Sequence, residues 1–425
     1  MALASSSFSF ASHFAPYAVS LIILHLVLMS NSSAMKHNGY VGHYVHHRHC
    51  AASNASTPRL YRAYLPLQAW KRVIYSDPYN FTTNWSGLSV CDYTGVYCTP
   101  ALDDNETTVV AGIDLNFADL AGFLPDELGL LADLMILYLS SNRFCGILPM
   151  AFSNLTLVYE LNLSNNRFVS PFPAVILSLP SIYHLDLRLN EFEGLVPPAL
   201  FRNGMDAIFL NNNWFKNTIS ASLAGNSASV LVFANNKFGG FLPPGIADFA
   251  DTLEELLLTN TSLSGCLPQE VGFLYKLREL DTSSNNIAGP ISYSLAGLAH
   301  LEILNFGHNM MEGIVPAGVC TLPKLTNFTF SYNYFCEEDG ICQNLTAKGI
   351  SYDKRENCLP EKPLQRSQKE CKAAIEHPGY CYEHLCHRTG TGSFGSAFPF
   401  APAPALGPKP LPPSPSPSPS PSGIS

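Results

Sequence analysis

The sequence predicts an α/β solenoid, a stack of short coils that each add one parallel strand to a common sheet, and three recurrences predict it. The first is a repeated stretch: LMILYLSSNRFCGILP (134 to 149), VYELNLSNNRFVSPFP (158 to 173) and IYHLDLRLNEFEGLVP (182 to 197) superimpose at steps of 24 residues. The second is an asparagine in one fixed place, at Asn142, Asn166, Asn190, Asn213, Asn236, Asn285, Asn309 and Asn333, with Ala118 and Thr261 at the two lapses. The third is a glycine near the end of the unit, at Gly122, Gly146, Gly194, Gly240, Gly265, Gly289 and Gly313, followed by proline in most units.

Each unit follows L-x-x-L-x-L-x-x-N-x-L-x-G-x-L-P. The register runs back to VAGIDLNFADLAGFLP (110 to 125) and forward through MDAIFL, ASVLVF, LEELLL, LRELDT, LEILNF and LTNFTF, ten units in all at steps of 23 to 25. This is the pattern of a leucine-rich repeat, so residues 109–335 are expected to form a horseshoe of about ten 24-residue repeats of the plant type. The x-L-x-L-x stretch supplies a strand whose two apolar side chains point inward and are buried only by stacking on the neighbouring coils. The asparagine satisfies backbone groups inside the turn, and the Gly-x-x-Pro ending gives the sharp return.

An open stack exposes its core at both ends, so caps are expected. LQAWKRVIYSDPYNFTTNWSGLSVCDYTGVYC (67 to 98) offers an amphipathic helix, aromatic residues and a close Cys pair, which places the N-terminal cap at 67–108. At the other end Cys336 follows where the eleventh apolar position gives out, which places a Cys-rich cap and tail at 336–387.

The N-terminus speaks for secretion. YAVSLIILHLVLM (17 to 29) followed by SNSSA reads as the apolar region and cleavage zone of a signal peptide over residues 1–34. That run is too short to span a bilayer comfortably, no later segment is long enough, and the end PSPSPSGIS lacks an apolar tail, so no membrane anchor is expected. In an oxidising compartment the 12 cysteines pair. Cys91 and Cys98 are expected to join each other, and the cluster Cys336, Cys342, Cys358, Cys371, Cys381 and Cys386 to staple a short tail, with its connectivity open. N-x-[ST] triplets at Asn54, Asn80, Asn84, Asn105, Asn154 and Asn344 are candidate glycosylation sites, as are Asn162, Asn260 and Asn327.

Residues 35–66 read as a basic, His-rich arm. His37, His43, His46, His47 and His49 have the chemistry to hold zinc or copper, but no spacing fixes a geometry, so no metal or other cofactor is assigned. From residue 388 to 425 the composition changes to FPFAPAPALGPKPLPPSPSPSPSPSG, with eleven of the 32 prolines, which reads as a polyproline II tail open to hydroxylation and O-glycosylation.

Among 425 residues only 13% are charged, 33 acidic against 24 basic, for a net charge of −9, which disfavours a nucleic-acid binder. The charge is unevenly laid out: +6 up to residue 76, −15 from 77 to 335 and 0 beyond. No nucleophile elbow, phosphate loop, His-Glu-x-x-His helix or kinase signature is present, so no catalytic residue is assigned and no enzyme is expected. Acidic pairs such as Glu254 with Glu255 and Glu337 with Glu338 read as solvated faces.

The inner face of the sheet is the functional candidate, because its strands present alternate side chains in an array wide enough for a peptide or protein. In this register the array holds Asp114, Tyr138, Glu160, Asp186, Phe209, Val232, Glu255, Leu257, Glu279 and Asp281, with His184 and Arg188 alongside. Acidic residues outnumber basic ones there, with aromatic and aliphatic ones between them, which suits a cationic, partly apolar peptide. Asn162, Asn260 and Asn327 fall on or beside this face, where glycans would obstruct a large ligand.

At these residues the sequence resembles the plant leucine-rich repeat extensins. The resemblance is carried by AWKRVIYSDPYNFTTNWSGLSVCDYTGVYC, the ten repeats, and YNYFCEEDGICQNL followed by NCLPEKPLQRSQKEC, over about residues 67 to 375. It implies a secreted cell-wall protein whose repeat domain binds rapid alkalinisation factor peptides, which are small, basic and Cys-containing. It also implies a Cys-rich tail that supports a disulfide-linked homodimer, and association with the wall's polysaccharide and glycoprotein matrix. The chain departs from the family at its C-terminus, where an alternating Ser-Pro tract replaces Ser-Pro-Pro-Pro-Pro blocks and crosslinking tyrosines. The expected function is capture of a basic signalling peptide that modulates wall assembly or growth by a short-tailed relative of the family. A defence protein like the polygalacturonase inhibitors, or a purely structural wall glycoprotein, are the alternatives.

Overall fold

A computed structural model describes residues 58–216 and 227–376. The expected signal segment, most of the His-rich arm, Asn54, Cys381, Cys386 and the Ser-Pro tail lie outside the described residues.

Twelve short strands form one sheet: β1 (Val96–Pro100), β2 (Thr108–Asp114), β3 (Ile136–Tyr138), β4 (Glu160–Asn162), β5 (His184–Asp186), β6 (Ala207–Phe209), β7 (Val230–Val232), β8 (Glu255–Leu257), β9 (Glu279–Asp281), β10 (Ile303–Asn305), β11 (Asn327–Thr329) and β12 (Ser351–Asp353). They are ordered as in the chain. β1 is antiparallel to β2 and the remainder are parallel, one strand per coil. Opposite most of the strands the described coils turn through a short 3-10 segment such as Asp126–Leu130 or Gln269–Phe273, and in one through the short α-helix Ala317–Cys320. The Gly-x-x-Pro region adds short second sheets of five and four strands on the flank.

The fixed asparagines do what the sequence requires of them. Asn166 Nδ2 donates to the carbonyls of Leu139 (2.7 Å), Leu163 (3.1 Å) and Ser164 (3.0 Å), while its Oδ1 accepts from Phe144 N–H (3.0 Å). Each such side chain saturates backbone groups of two coils at once, and leaving them bare in the core would cost about 1–3 kcal/mol apiece. Where Thr261 breaks the row, Asn285 Oδ1 accepts both Thr261 N–H and Leu263 N–H. Beside the row, Phe144, Phe168, Phe192 and Phe215 are fully buried, and the last three stack coil on coil.

Both ends differ from expectation in extent. The N-terminal helix spans Pro58–Val73, so the cap begins well before residue 67 and takes in part of the segment assigned to the arm. Its Trp70 is fully buried against Trp85 and Phe144, which seals the first coils with aromatic area. At the far end the stack does not stop at residue 335. β12 pairs in parallel with β11, and Asn357 takes the ladder position, donating to Phe330 O (3.0 Å) and accepting from Phe335 N–H (3.1 Å). This eleventh coil escapes the leucine pattern because Lys354 stands where the second core leucine belongs. Lys354 Nζ reaches Glu338 Oε1 at 2.7 Å and Tyr352 donates to Glu338 Oε2 at 2.8 Å. Glu338 is thus buried and paired, not on a solvated face; although burial works against it, Lys354 and Tyr352 hold its carboxyl below the ordinary range.

The disulfides tie these ends. Cys91 joins Cys98 as expected, and Cys358 joins Cys371 within the Cys-rich segment. Cys342, however, reaches out of that segment to Cys320 in the ninth repeat, so the cluster clamps the solenoid as well as stapling a tail. Cys266 and Cys336 are also disulfide-bonded, and Cys145 carries a free, half-buried thiol.

Candidate functional site

In-register parallel pairing lines up equivalent side chains from coil to coil, so the sequence column becomes rows across the sheet. One row runs Ile136, Glu160, His184, Ala207, Val230, Glu255, Glu279, Ile303. The next runs Asp114, Tyr138, Asn162, Asp186, Phe209, Val232, Leu257, Asp281, Asn305. All ten expected positions lie on these rows, but they are not equally presented. Glu160 is 3% exposed, Asp186 1% and Val232 7%, so these three do not face solvent. With neighbouring strands about 4.8 Å apart, bulky residues on adjacent coils close over them: Tyr138 and His184 flank Glu160, Phe209 and Arg188 cover Asp186, and Phe209 with Leu257 flanks Val232.

Two charged patches result. In the first, around β3 to β6, the Tyr138 hydroxyl donates to Glu160, and burial together with that carboxylate pushes the phenol up. Arg188 Nε lies 3.0 Å from Asp186 Oδ2, and Arg188 N–H donates to Asp186 Oδ1 (3.1 Å). The guanidinium lies over the Phe209 ring at 5.1 Å, and His184 packs on the same ring at 5.3 Å between centroids. Burial pushes the Asp186 carboxyl up to about 6, with Arg188 opposing, and burial with the nearby guanidinium takes His184 down to about 4. At neutral pH the imidazole is uncharged.

The second patch, on β8 and β9, brings together Glu255, Glu279 and Asp281, all half-buried. Glu255 and Glu279 are direct cross-strand partners. Burial first, then the charges of Glu255, Asp281 and Glu302, push the Glu279 carboxyl up to about 7. Glu255 is also raised by burial, with Arg278 opposing. Among the described residues no ion pair reaches any of the three. Asp281 accepts from Ser283 N–H (2.8 Å) and Asn305 Nδ2 (2.9 Å), both neutral donors. Val230, Leu257 and Ile303 enclose the group with apolar surface.

Sequence reasoning missed Val230 and Ile303, whose positions in the first row follow from the 24-residue step. It also missed the edge chain in which Arg278 pairs with Glu302 (2.9 Å) and Glu254 (4.0 Å), so that its charge reaches Glu255 of the inner group only through space and not as an ion pair. Asn80, Asn84, Asn105, Asn154 and Asn344 are all exposed. Asn84 has its amide engaged by Asp92 O (2.7 Å) and Thr94 N–H (3.1 Å). Asn260 stands just past its strand at a left-handed φ of 54°, tied to Asn235 (3.0 Å), so the conflict between glycans and ligand narrows to Asn162 and Asn327.

A leucine-rich repeat family model matches residues 132–192. The chain is 45% identical over 332 residues to leucine-rich repeat extensin-like protein 6 of Arabidopsis thaliana, covering 78% of this chain and 70% of that one. It is 46% identical over 333 residues to leucine-rich repeat extensin-like protein 4 of the same plant, covering 78% and 66%. It thus spans about two thirds of the length of these relatives. Among solved structures it is similar to the plant peptide hormone receptor RGFR1 in complex with RGF2, at 27% identity and a TM-score of 0.56, over 59% of this chain and 40% of the receptor. Fold and relatives are those of a repeat scaffold, not of an enzyme. On the identity and coverage of its relatives, this chain belongs to the leucine-rich repeat extensin-like family.

Proposed function

We infer that this chain is a secreted cell-wall protein whose inner face captures a basic, Cys-containing signalling peptide of the rapid-alkalinisation-factor type and thereby modulates wall assembly or growth. The observation that carries this is the group of Glu255, Glu279 and Asp281, three carboxylates on neighbouring coils with no cation paired to them among the described residues. Like charges held together in an apolar surround are unfavourable on their own, and an arriving Lys or Arg relieves that and gains charge-assisted hydrogen bonds of about 1.5–3 kcal/mol each. Burial among Val230, Leu257 and Ile303 keeps the acids from solvent screening and suits the aliphatic stem of such a side chain. The likeness to a plant peptide hormone receptor supports a peptide as the ligand.

Calorimetry of the recombinant chain with a basic, Cys-containing peptide tests this. Glu279→Lys and Asp281→Lys are each expected to weaken binding at least about tenfold, the equivalent of one lost charge-assisted contact. Absence of binding to the unaltered chain would overturn the peptide reading, and binding indifferent to both reversals would move the site off this face. Association with the wall matrix is read separately, by extraction from walls with salt against detergent. Disulfide-linked pairing of two chains is read by a dimer band that reductant converts to monomer.

A further inference from the structure

Arg188 lies two residues past Asp186, just beyond β5, and is the single lysine or arginine in the two inward rows and at this next position on the coils of β2 to β11, where the other residues are acidic, polar or apolar. It is held from two sides, by Asp186 on its Nε edge at 3.0 Å and by the Phe209 ring beneath it at 5.1 Å. Its side chain is nonetheless 42% exposed, and its two terminal amino groups make no hydrogen bond among the described residues. A guanidinium locked on one edge and open on the other matches a carboxylate two oxygens at a time, with little rotamer freedom left to lose. Any peptide lying across the sheet covers those amino groups, and covering them without an acceptor is unfavourable. Between Arg188 and the Glu255 group the floor is Phe209, Val230, Val232 and Leu257, with no charge.

We propose that a captured peptide lies across the coils with a carboxylate on Arg188 and a basic side chain on the Glu255, Glu279 and Asp281 group, so that the face selects the spacing between two opposite charges. This rests on the peptide-capture reading above and adds polarity and register to it. From β5 to β9 is four strand steps, about 19 Å at about 4.8 Å each, and an extended chain rises about 3.3 Å per residue. The acid and the base in the ligand therefore stand about six residues apart, with apolar side chains between them for the uncharged floor.

The test is to pan a phage library of random peptides on the full-length recombinant chain and on its Arg188→Gln and Arg188→Lys variants. The unaltered chain is expected to select Lys or Arg together with Asp or Glu about six residues away. R188Q is expected to keep the basic selection and lose the acidic one, with R188K recovering part of it. The best selected peptide, synthesised with its acid as Asp or as Asn, should differ about tenfold in Kd on the unaltered chain and less than about twofold on R188Q. A free and an amidated C-terminus on the Asn form separate a terminal carboxylate from a side-chain one. Selection of bases without acids at that spacing, or acids retained by R188Q, overturns the proposal while leaving peptide capture standing. No enrichment of basic sequences on any variant overturns peptide capture itself, and this inference with it. If Arg188 served only to balance Asp186, the substitutions would shift melting temperature without changing the selected spacing.

Discussion

Between β3 and β6 every acid of the inner face meets a donor at close range: Glu160 has the Tyr138 hydroxyl and Asp186 has Arg188 twice over. Between β8 and β9 the same residue types face each other, and the only neighbouring arginine, Arg278, is taken up by Glu254 and Glu302 on the edge. Both patches sit on the same strand positions and both hold a carboxyl raised by burial, Asp186 to about 6 and Glu279 to about 7. The difference lies in what surrounds the charge. In the first patch the acids are met by donors of the chain itself, whereas in the second the three acids have no ion pair among the described residues, which is the gap the proposed basic ligand would fill. A carboxyl raised by burial therefore does not by itself distinguish the two patches; the company it keeps does.

Stability measurements can break this contrast, since acid removal should have opposite signs in the two patches. The largest expected effect is at Asp186→Ala, which strips acceptors from Arg188 N–H and Nε and opens a void under Phe209. Net of the relief from burying one charge fewer, it should cost about 2 kcal/mol, seen as a lower melting temperature at pH 7. Glu279→Gln should instead raise the melting temperature. The carboxyl titrates at about 7 in the fold against 4.5 as its ordinary value, so the unfolded chain gives up its proton first. Stability then falls as pH rises between those values, is fully reduced above them and is unaffected below. Discounted for partial exposure, the gain from Glu279→Gln is about 1–2 kcal/mol at pH 8 and none at pH 4, so equal gains at both pH values would remove the charge explanation. Smallest is Tyr138→Phe, which takes one donor from Glu160 and should lower stability by about 1 kcal/mol while leaving capture of a basic peptide unchanged.

The repeat architecture was readable in advance because its period strays by no more than one residue from 24. A step of 24 residues places Leu137 beside Leu161 and Leu185 whatever lies between them, and the ten inner-face residues named from it fall on the two rows, though Val230 and Ile303 were passed over. How far each is exposed was not readable, because it depends on the bulk of side chains one coil away, about 24 residues distant in sequence. Glu160, Asp186 and Val232 read as surface for that reason and are covered in the fold. The eleventh coil shows a different limit. Asn357 lies one full step after Asn333 and was the available signal, but Lys354 in a leucine position concealed it. That lysine is tolerable only because Glu338, buried beside it, belongs to the preceding coil, and such a pairing leaves no trace in a search for apolar residues. Cys342 likewise carries no mark in the sequence that its partner is Cys320 and not another member of its cluster.

In a stack of coils each unit holds only its two neighbours, so thermal opening ordinarily starts at a terminus, where a single interface has to be given up. Here the ninth coil is bolted to the tenth through Cys320 and Cys342, the eleventh is tied to the segment after it through Cys358 and Cys371, and the entrance is pinned by Cys91 with Cys98 beside a sealed tryptophan pair. With its boundaries fastened, the lattice has no cheap place to begin unzipping. Opening is then expected to nucleate within the array, at the loss of two interfaces instead of one, so that resistance to proteolysis is set by the interior coils, not by the ends.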